Sequence, residues 1–287
     1  MKFAEYLQQH KYAASTIHAY VCTIDLFEQW CGENHIDHNI ATYNDLLSYI
    51  QYQQEHKVTN PTINIRLNSI SKYYDHLMAQ GTRTGNAARD LRVKSGGYKV
   101  LKDLLTPQRL EDIYGQYTNR PAWSFREEKS TRIHQRNTVI LGLMVFQGLH
   151  AGELKRLEAE HIDLPRASIY IPSTRRSNSR ILKLKAIQML YLQQHLTTRS
   201  DNNILLFKGN LHTILAWLIR GLRQQGRLVR SAKQLRASVI AGWTKRYNIR
   251  QVQYMCGHRH ISSTERYQQQ GLEDLKAAIE QYHPGTG

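Results

Sequence analysis

The sequence predicts a mostly α-helical protein with a small antiparallel sheet, divided into two domains. Three observations carry this. Apolar residues recur at helical spacing through the first eighty residues and again beyond residue 211. Two short apolar runs, "SIYIP" at 168–172 and "RILKLK" at 180–185, flank the polar loop "STRRSNS" and read as a hairpin. Between the helical stretches, residues 82–103 lose their periodicity and carry Gly96-Gly97, the mark of a linker. At 287 residues the chain has length for two buried cores.

The elements follow in order. Ser15 is placed to cap a first helix with Ile17, Tyr20, Ile24, Phe27 and Cys31 along one face. A second helix runs through 42–56 with Tyr43, Leu46, Leu47 and Ile50 on one side. Asn60-Pro61 opens a third, because the N–H that proline lacks is one a helix start leaves unpaired anyway. Its Ile63, Leu67, Ile70, Tyr74 and Leu77 alternate steps of four and three, and Gly81 ends it. These helices make a domain over 1–82, followed by a linker at 83–103 and a second domain over 104–287. Thr106 and Pro107 start the first helix of that domain, and 137–149 is apolar on nearly every side, as a central buried helix must be. Further helices are expected at 211–225, 232–246, 249–256, 262–270 and 274–282. The fourth of these reads as a capping box, with Ser262 as cap and Glu265 reaching back.

Charge separates the two halves. Residues 1–95 hold nine Lys/Arg and nine Asp/Glu, whereas 96–287 hold thirty against fourteen, the whole of the net +16. Between Asp201 and Glu265 there is no acid, but there are eleven Lys/Arg, among them Arg220, Arg223, Arg227, Arg230, Lys233 and Arg236. A field of one sign attracts a polyanion, and nucleic acid is the partner it points to. No apolar run approaches 18 residues and the N-terminus lacks a secretory signal, so neither a membrane partner nor export is expected. Cys22, Cys31 and Cys256 have no metal-ligand spacing and fit a reducing cytoplasm. With no carboxylate cluster, Cys/His set or phosphate-cradling glycine loop, no metal, cofactor or small-molecule substrate is expected.

The most specific signals lie in the basic half. Gly148-Leu149 is followed by Glu153-Leu154, Leu157 and Ile162-Asp163; "KQLRAS" contains Leu235-Arg236; and "GHRHISSTERYQ" sets His258 nine residues before Tyr267. In this order and at these separations they resemble the tyrosine recombinase (phage integrase) family, over essentially the whole chain. The resemblance implies an N-terminal core-binding domain that clamps the far side of a duplex, and a C-terminal catalytic domain that cuts DNA through a 3′-phosphotyrosine. It makes Tyr267 the nucleophile, Arg236 a phosphate clamp and His258 a phosphate hydrogen-bond donor. Lys233 stands where the family has the His of His-x-x-Arg. Two positions depart from the pattern: the first family arginine is His150, and the hairpin lysine is Arg175, with Arg176 beside it.

The chemistry explains these residue types. A tyrosine hydroxyl stores the phosphoryl group between two transfers. Fixed cations stabilise the charge that grows on the phosphate oxygens, and arginine suits this through its planar fork and permanent charge. A protonated His150 would recover part of the charge of the missing arginine. Arg175 is a poorer proton donor than lysine, its pKa lying above about 12, so Lys183 and Lys185 stand as alternative general acids. Thr16 and His18 on the first helix, Arg66 and Lys72 on the third, and Arg176 and Arg230 are candidate DNA contacts. Double-stranded DNA is the expected partner, with dimers to tetramers joined on it through the last helix, at a cytoplasmic, nucleoid-associated location. The alternative is a recombinase-derived DNA-binding protein that does not cleave. An RNA-binding reading is disfavoured by the want of an exposed aromatic platform.

Overall fold

The computed structural model describes residues 2–94, 103–119, 128–198, 204–224 and 229–267. The chain forms two compact units, Met1–Lys99 and Val100–Gly287.

The first unit is built from α1 (Phe3–Gln9), α2 (Ala14–Glu33), α3 (Tyr43–Glu55) and α4 (Asn60–Ala79). All five apolar positions expected on α4 are buried, because their spacing keeps them on one stripe of a 3.6-residue turn. Two local expectations are corrected, and one helix is added. Ala13, not Ser15, is the N-cap of α2, and its backbone carbonyl alone closes the first turn. The inward stripe of α3 is Leu46, Tyr49, Ile50 and Gln53, which leaves Tyr43 and Leu47 exposed. The short helix α1, too brief for a periodic pattern, buries Leu7.

Residues 83–94 contain no helix yet pack onto this unit. The Arg83 guanidinium lies 3.8 Å over the Tyr74 ring and donates to the carbonyls of Asn39 and Ala41. Asn64 exchanges two 2.8 Å hydrogen bonds with the backbone of Val93, and Ala88 and Leu91 are buried.

The second unit contains α5 (Pro107–Thr118), α6 (Glu128–Phe146), α7 (Ala151–Leu154), a 3-10 turn (Ala159–His161), β1 (Ile162–Asp163), β2 (Ser168–Ile171), β3 (Arg180–Lys183), α8 (Ala186–Thr197), α9 (Leu211–Gln224), α10 (Ala232–Thr244) and α11 (Ile249–Cys256). Residues 262–267 are helical. Thr106 caps α5 as expected, accepting from the Arg109 amide. Val139, Ile140, Leu141, Leu143, Met144 and Val145 make α6 the central buried helix. The sheet is antiparallel in the order β1-β2-β3, with Ile169 opposite both Ile162 and Leu182.

Besides α1, the single-turn α7, the 3-10 turn, β1 and α8 lay outside the sequence reading. β1 has only two residues. α8 disguises its inward face, because Gln188 is buried there in a reciprocal amide pair with Gln147 while Ile187 and Leu190 face outward. The expected helix at 274–282 lies outside the described residues. No helix among the described residues is long and apolar enough to cross a membrane.

Candidate active site

The site is organised by a carboxylate. Helix α7 has a single turn, capped by His150: the Gly152 amide donates to His150 Nδ1 (3.0 Å), and the His150 amide to Glu153 Oε2 (3.1 Å). This turns Glu153 fully inward. Its Oε1 accepts from Arg180 Nη1 at 2.7 Å and its Oε2 from Arg236 Nη1 at 3.1 Å. Burial alone would raise the carboxyl's pKa, but the hydrogen bond and charge of Arg180 and the charge of Arg236 outweigh it and hold it at about 2.

Strand alternation delivers Arg180. Along β3, Arg180 and Leu182 point inward while Ile181 and Lys183 point out. The Arg180 side chain is wholly buried; its Nε donates to the Met255 carbonyl, and its buried Nη2 has no hydrogen-bond partner among the described residues. Arg236, on α10, donates to the carbonyls of Gly148 (2.5 Å) and Cys256 (2.8 Å) and remains slightly exposed. Both guanidiniums therefore grip the end of α11. Gly257 closes that helix with φ at +68°, and a Cβ there would lie 2.5 Å from Arg180 Nη1, so glycine is required twice over.

The β2–β3 loop is clasped to the segment after α11. Thr174 Oγ1 accepts from the amides of Arg176 (3.1 Å) and Ser177 (3.0 Å). The Asn178 amide donates to the Gly257 carbonyl, Arg259 donates to the Thr174 carbonyl, and buried Ser177 pairs with His258 as an isolated antiparallel bridge. His258 Nδ1 pairs with Thr264 Oγ1 at 2.9 Å. The His258 ring stacks on Tyr267, with centroids 6.1 Å apart and planes at 19°. Tyr267 packs against the cluster of Ile240, Val252 and Cys256. Its helix closes its first turn on the Ile261 carbonyl; Thr264 turns inward to His258, whereas Ser262 is exposed, in place of the expected Ser262 cap.

Burial, reinforced by Arg236 and Arg180, drives the His258 pKa down to about 4. Burial also lowers that of His150; the Glu153 carboxylate opposes this, and Arg236, Arg180 and Arg176 add to it. Both features bear on whether a protonated His150 could stand in for the missing arginine: its Nδ1 is an acceptor in the helix cap, and burial and the surrounding cations disfavour the charged ring. Burial raises the Tyr267 phenol, with Arg236 opposing.

The structure brings His150, Arg236, His258 and Tyr267 together. Arg175 and Arg176 are exposed on the clasped loop, and Lys233 is exposed one turn before Arg236 on α10. Lys183 faces outward and donates to the Arg166 carbonyl, while Lys185 begins α8; neither is bonded to the cluster among the described residues. Arg230 is paired with Asp103. In the first unit, Thr16 is half-buried in the first turn of α2, and His18 Nδ1 lies 3.1 Å from Cys22 Sγ. Arg66 turns in to Gln53 Oε1 (2.6 Å), and Lys72 pairs with Asp75 (2.9 Å). Trp217 on α9, which the sequence reading did not single out, is 65% exposed, with the Arg220 guanidinium 5.5 Å from its ring centre. Sequence reasoning assigned no role to Glu153, Arg180 or Thr264. For Arg180 the available signal was strand parity, since it shares the inward register of Leu182.

Comparison with known proteins gives this arrangement its family. Residues 1–81 match the phage integrase N-terminal SAM-like domain, and residues 105–273 match the phage integrase family. The chain belongs to that family, the tyrosine recombinases. It is similar to tyrosine recombinase XerC of Bacillus pumilus, 24% identical over 310 residues that span 98% of this chain and 95% of that protein. Against tyrosine recombinase XerA of Pyrococcus horikoshii it is 26% identical over 156 residues, 50% of this chain and 54% of that one. The fold matches the XerH site-specific recombinase in a post-cleavage complex with palindromic difH substrate, with a TM-score of 0.70 and 18% identity over 93% of this chain and 80% of that one. It also matches a lambda integrase dimer bound to a COC' core site, with a TM-score of 0.66 and 13% identity over 92% of both chains.

Proposed function

We propose that this protein is a site-specific DNA recombinase that cuts and rejoins strands through a 3′-phosphotyrosine on Tyr267. Charge carries the reading. One buried carboxylate, Glu153, lies between two guanidiniums, Arg180 and Arg236, so the pocket next to Tyr267 holds one positive charge in excess. Burial, reinforced by that excess, lowers the pKa of both histidines beside it. A DNA phosphodiester carries one negative charge and restores the balance, bonded by Arg236, the guanidinium that retains exposure.

Attack by the Tyr267 hydroxyl forms the tyrosine–phosphorus bond and breaks the bond from phosphorus to the 5′ oxygen. The phenolic proton leaves to solvent, and the 5′ oxygen takes one from a general acid, Lys233 or Arg175. A 5′ hydroxyl of a second strand then attacks the phosphotyrosine, closing the new phosphodiester and returning the phenol. In this reading 1–82 is the core-binding domain, 83–103 the linker and 104–287 the catalytic domain. The α9 face with Trp217 and Arg220 meets the duplex. Two to four copies assemble on DNA through 274–282, a reading supported by the dimeric lambda integrase complex on its core site.

One observation favours a second reading, a DNA-binding protein that does not cleave: the position of the first family arginine is held by His150, whose pKa burial lowers and whose Nδ1 is taken up in the α7 cap. Covalent trapping decides between them. Nicked duplexes taken from the DNA flanking the gene are offered to wild type and to Tyr267→Phe, and adducts are sought on denaturing gels. The recombinase reading expects an adduct with wild type alone; tight binding with no adduct establishes the second reading.

A further inference from the structure

The charge balance that suits a bound phosphodiester leaves the transition state one cation short. Glu153, Arg180 and Arg236 together supply a single positive charge, whereas five-coordinate phosphorus carries about one negative charge more than the ground state. His150 stands where that cation would be and does not provide it. Its Nδ1 accepts from the Gly152 amide, and its Nε2 lies 3.7 Å from a Glu153 oxygen already bonded to Arg236.

We propose that Arg176 supplies the missing cation and is a catalytic residue of this site, doing from the β2–β3 loop what the absent arginine does elsewhere in the family. The inference rests on the recombinase reading. Its backbone is fixed at the wall of the site. The Arg176 amide donates to Thr174 Oγ1, and the next residue, Ser177, is 1% exposed and bridges to His258, whose ring lies on Tyr267. Arg259 and Asn178 fasten the loop on either side. Its side chain, in contrast, is exposed, with no bond to a protein acceptor among the described residues. The Arg176 charge also bears on His150, together with those of Glu153, Arg236 and Arg180. A guanidinium keeps its charge at any working pH and offers a planar pair of donors to two phosphate oxygens. A loop anchored beside His258 thus carries a guanidinium, unpaired among the described residues, next to a site that lacks one.

The test is epistasis between positions 150 and 176 in the full-length protein. Single-turnover adduct formation is followed at saturating protein on the nicked flanking duplexes, with duplex affinity measured in parallel. Arg176→Ala is expected to slow cleavage by about 10²–10³-fold, the effect of removing one preorganised donor, with affinity changed by less than about tenfold. Adding His150→Arg to Arg176→Ala is expected to restore most of the rate. Arg166→Ala, which removes an exposed arginine from the β1–β2 turn, leaves the rate unchanged. The proposal is overturned if Arg176→Ala cleaves within about threefold of wild type, if its loss is matched by lost affinity, or if His150→Arg gives no rescue. Failure of the recombinase reading looks different: wild type itself forms no Tyr267-dependent adduct on duplexes it binds, and the role of Arg176 falls with it.

Discussion

The two units set two cations on one carboxylate in different surroundings. In the first unit, Lys72 and Arg89 share Asp75 near the surface, where solvent screens the charge left over, and Arg66 donates to Gln53. In the second, Arg180 and Arg236 converge on one buried carboxylate, and a positive charge is left over. Nine cations balanced by nine acids across residues 1–95 can build a scaffold without an electrostatic demand. A buried excess is tolerable only where an anion arrives to meet it. Function is therefore to be sought where the uncancelled charge is buried, and that difference can be tested at several points.

The largest effect is expected at Glu153. Glu153→Gln leaves two buried guanidiniums facing each other with no carboxylate between them. Breaking a buried ion cluster by removing one member costs about 3–5 kcal/mol. The second unit should lose stability by that order in urea unfolding, and cleavage should be lost with it. Because Oε2 also accepts from the His150 amide, the α7 cap loosens in the same variant. An unfolding midpoint equal to that of wild type would show that the cluster is not the structural hub inferred here.

How far the sequence revealed this site depended on how the information was written. Tyr267, His258 and Arg236 could be read because the motif that joins them is local and their order along the chain is distinctive. The helices of the first unit were legible because α4 repeats its stripe five times. Arg180 was not, since a lone arginine after "STRRSNS" looks like one more cation of the loop until strand parity turns it inward. Glu153 is legible as part of a motif but not as a hub, because its two partners lie 27 and 83 residues away. α8 was missed for a related reason, its core-facing Gln188 being polar. Long-range pairing of polar groups leaves no periodicity behind.

A smaller effect is expected from pH. His258 titrates at about 4 in the fold against 6.5 when free, so at intermediate pH the unfolded chain binds the extra proton. Its contribution to stability is then full above about 6.5 and is lost as the pH falls toward 4. Glu153, held at about 2 against 4.5, has the same sign, but its contribution is lost below about 4.5. The urea midpoint of the second unit should therefore drop between pH 6.5 and 4. His258→Asn should flatten that slope while leaving the steeper loss at lower pH. A slope unchanged by the substitution would mean that His258 does not carry the titration.

The smallest effect belongs to the first unit, and it tests the other side of the comparison. Lys72 is a partly exposed cation, and its partner Asp75 keeps hydrogen bonds from Arg89 (3.0 Å) and Asn86 (2.8 Å) without it. Lys72→Ala should therefore change stability by no more than about 1 kcal/mol, the ordinary value of a surface pair. The dependence of duplex affinity on salt is more informative, because each phosphate-bound cation contributes about 0.9 to the slope of log affinity against log salt. Lys72 already pairs with Asp75 in its own unit, so the slope should stay as in wild type. Arg176→Ala, removing a cation that no carboxylate balances, should lower it by about 0.9. A fall of that size with Lys72→Ala would instead show that Lys72 leaves Asp75 for the DNA backbone, and that balanced charge in the first unit is no guide to what it binds.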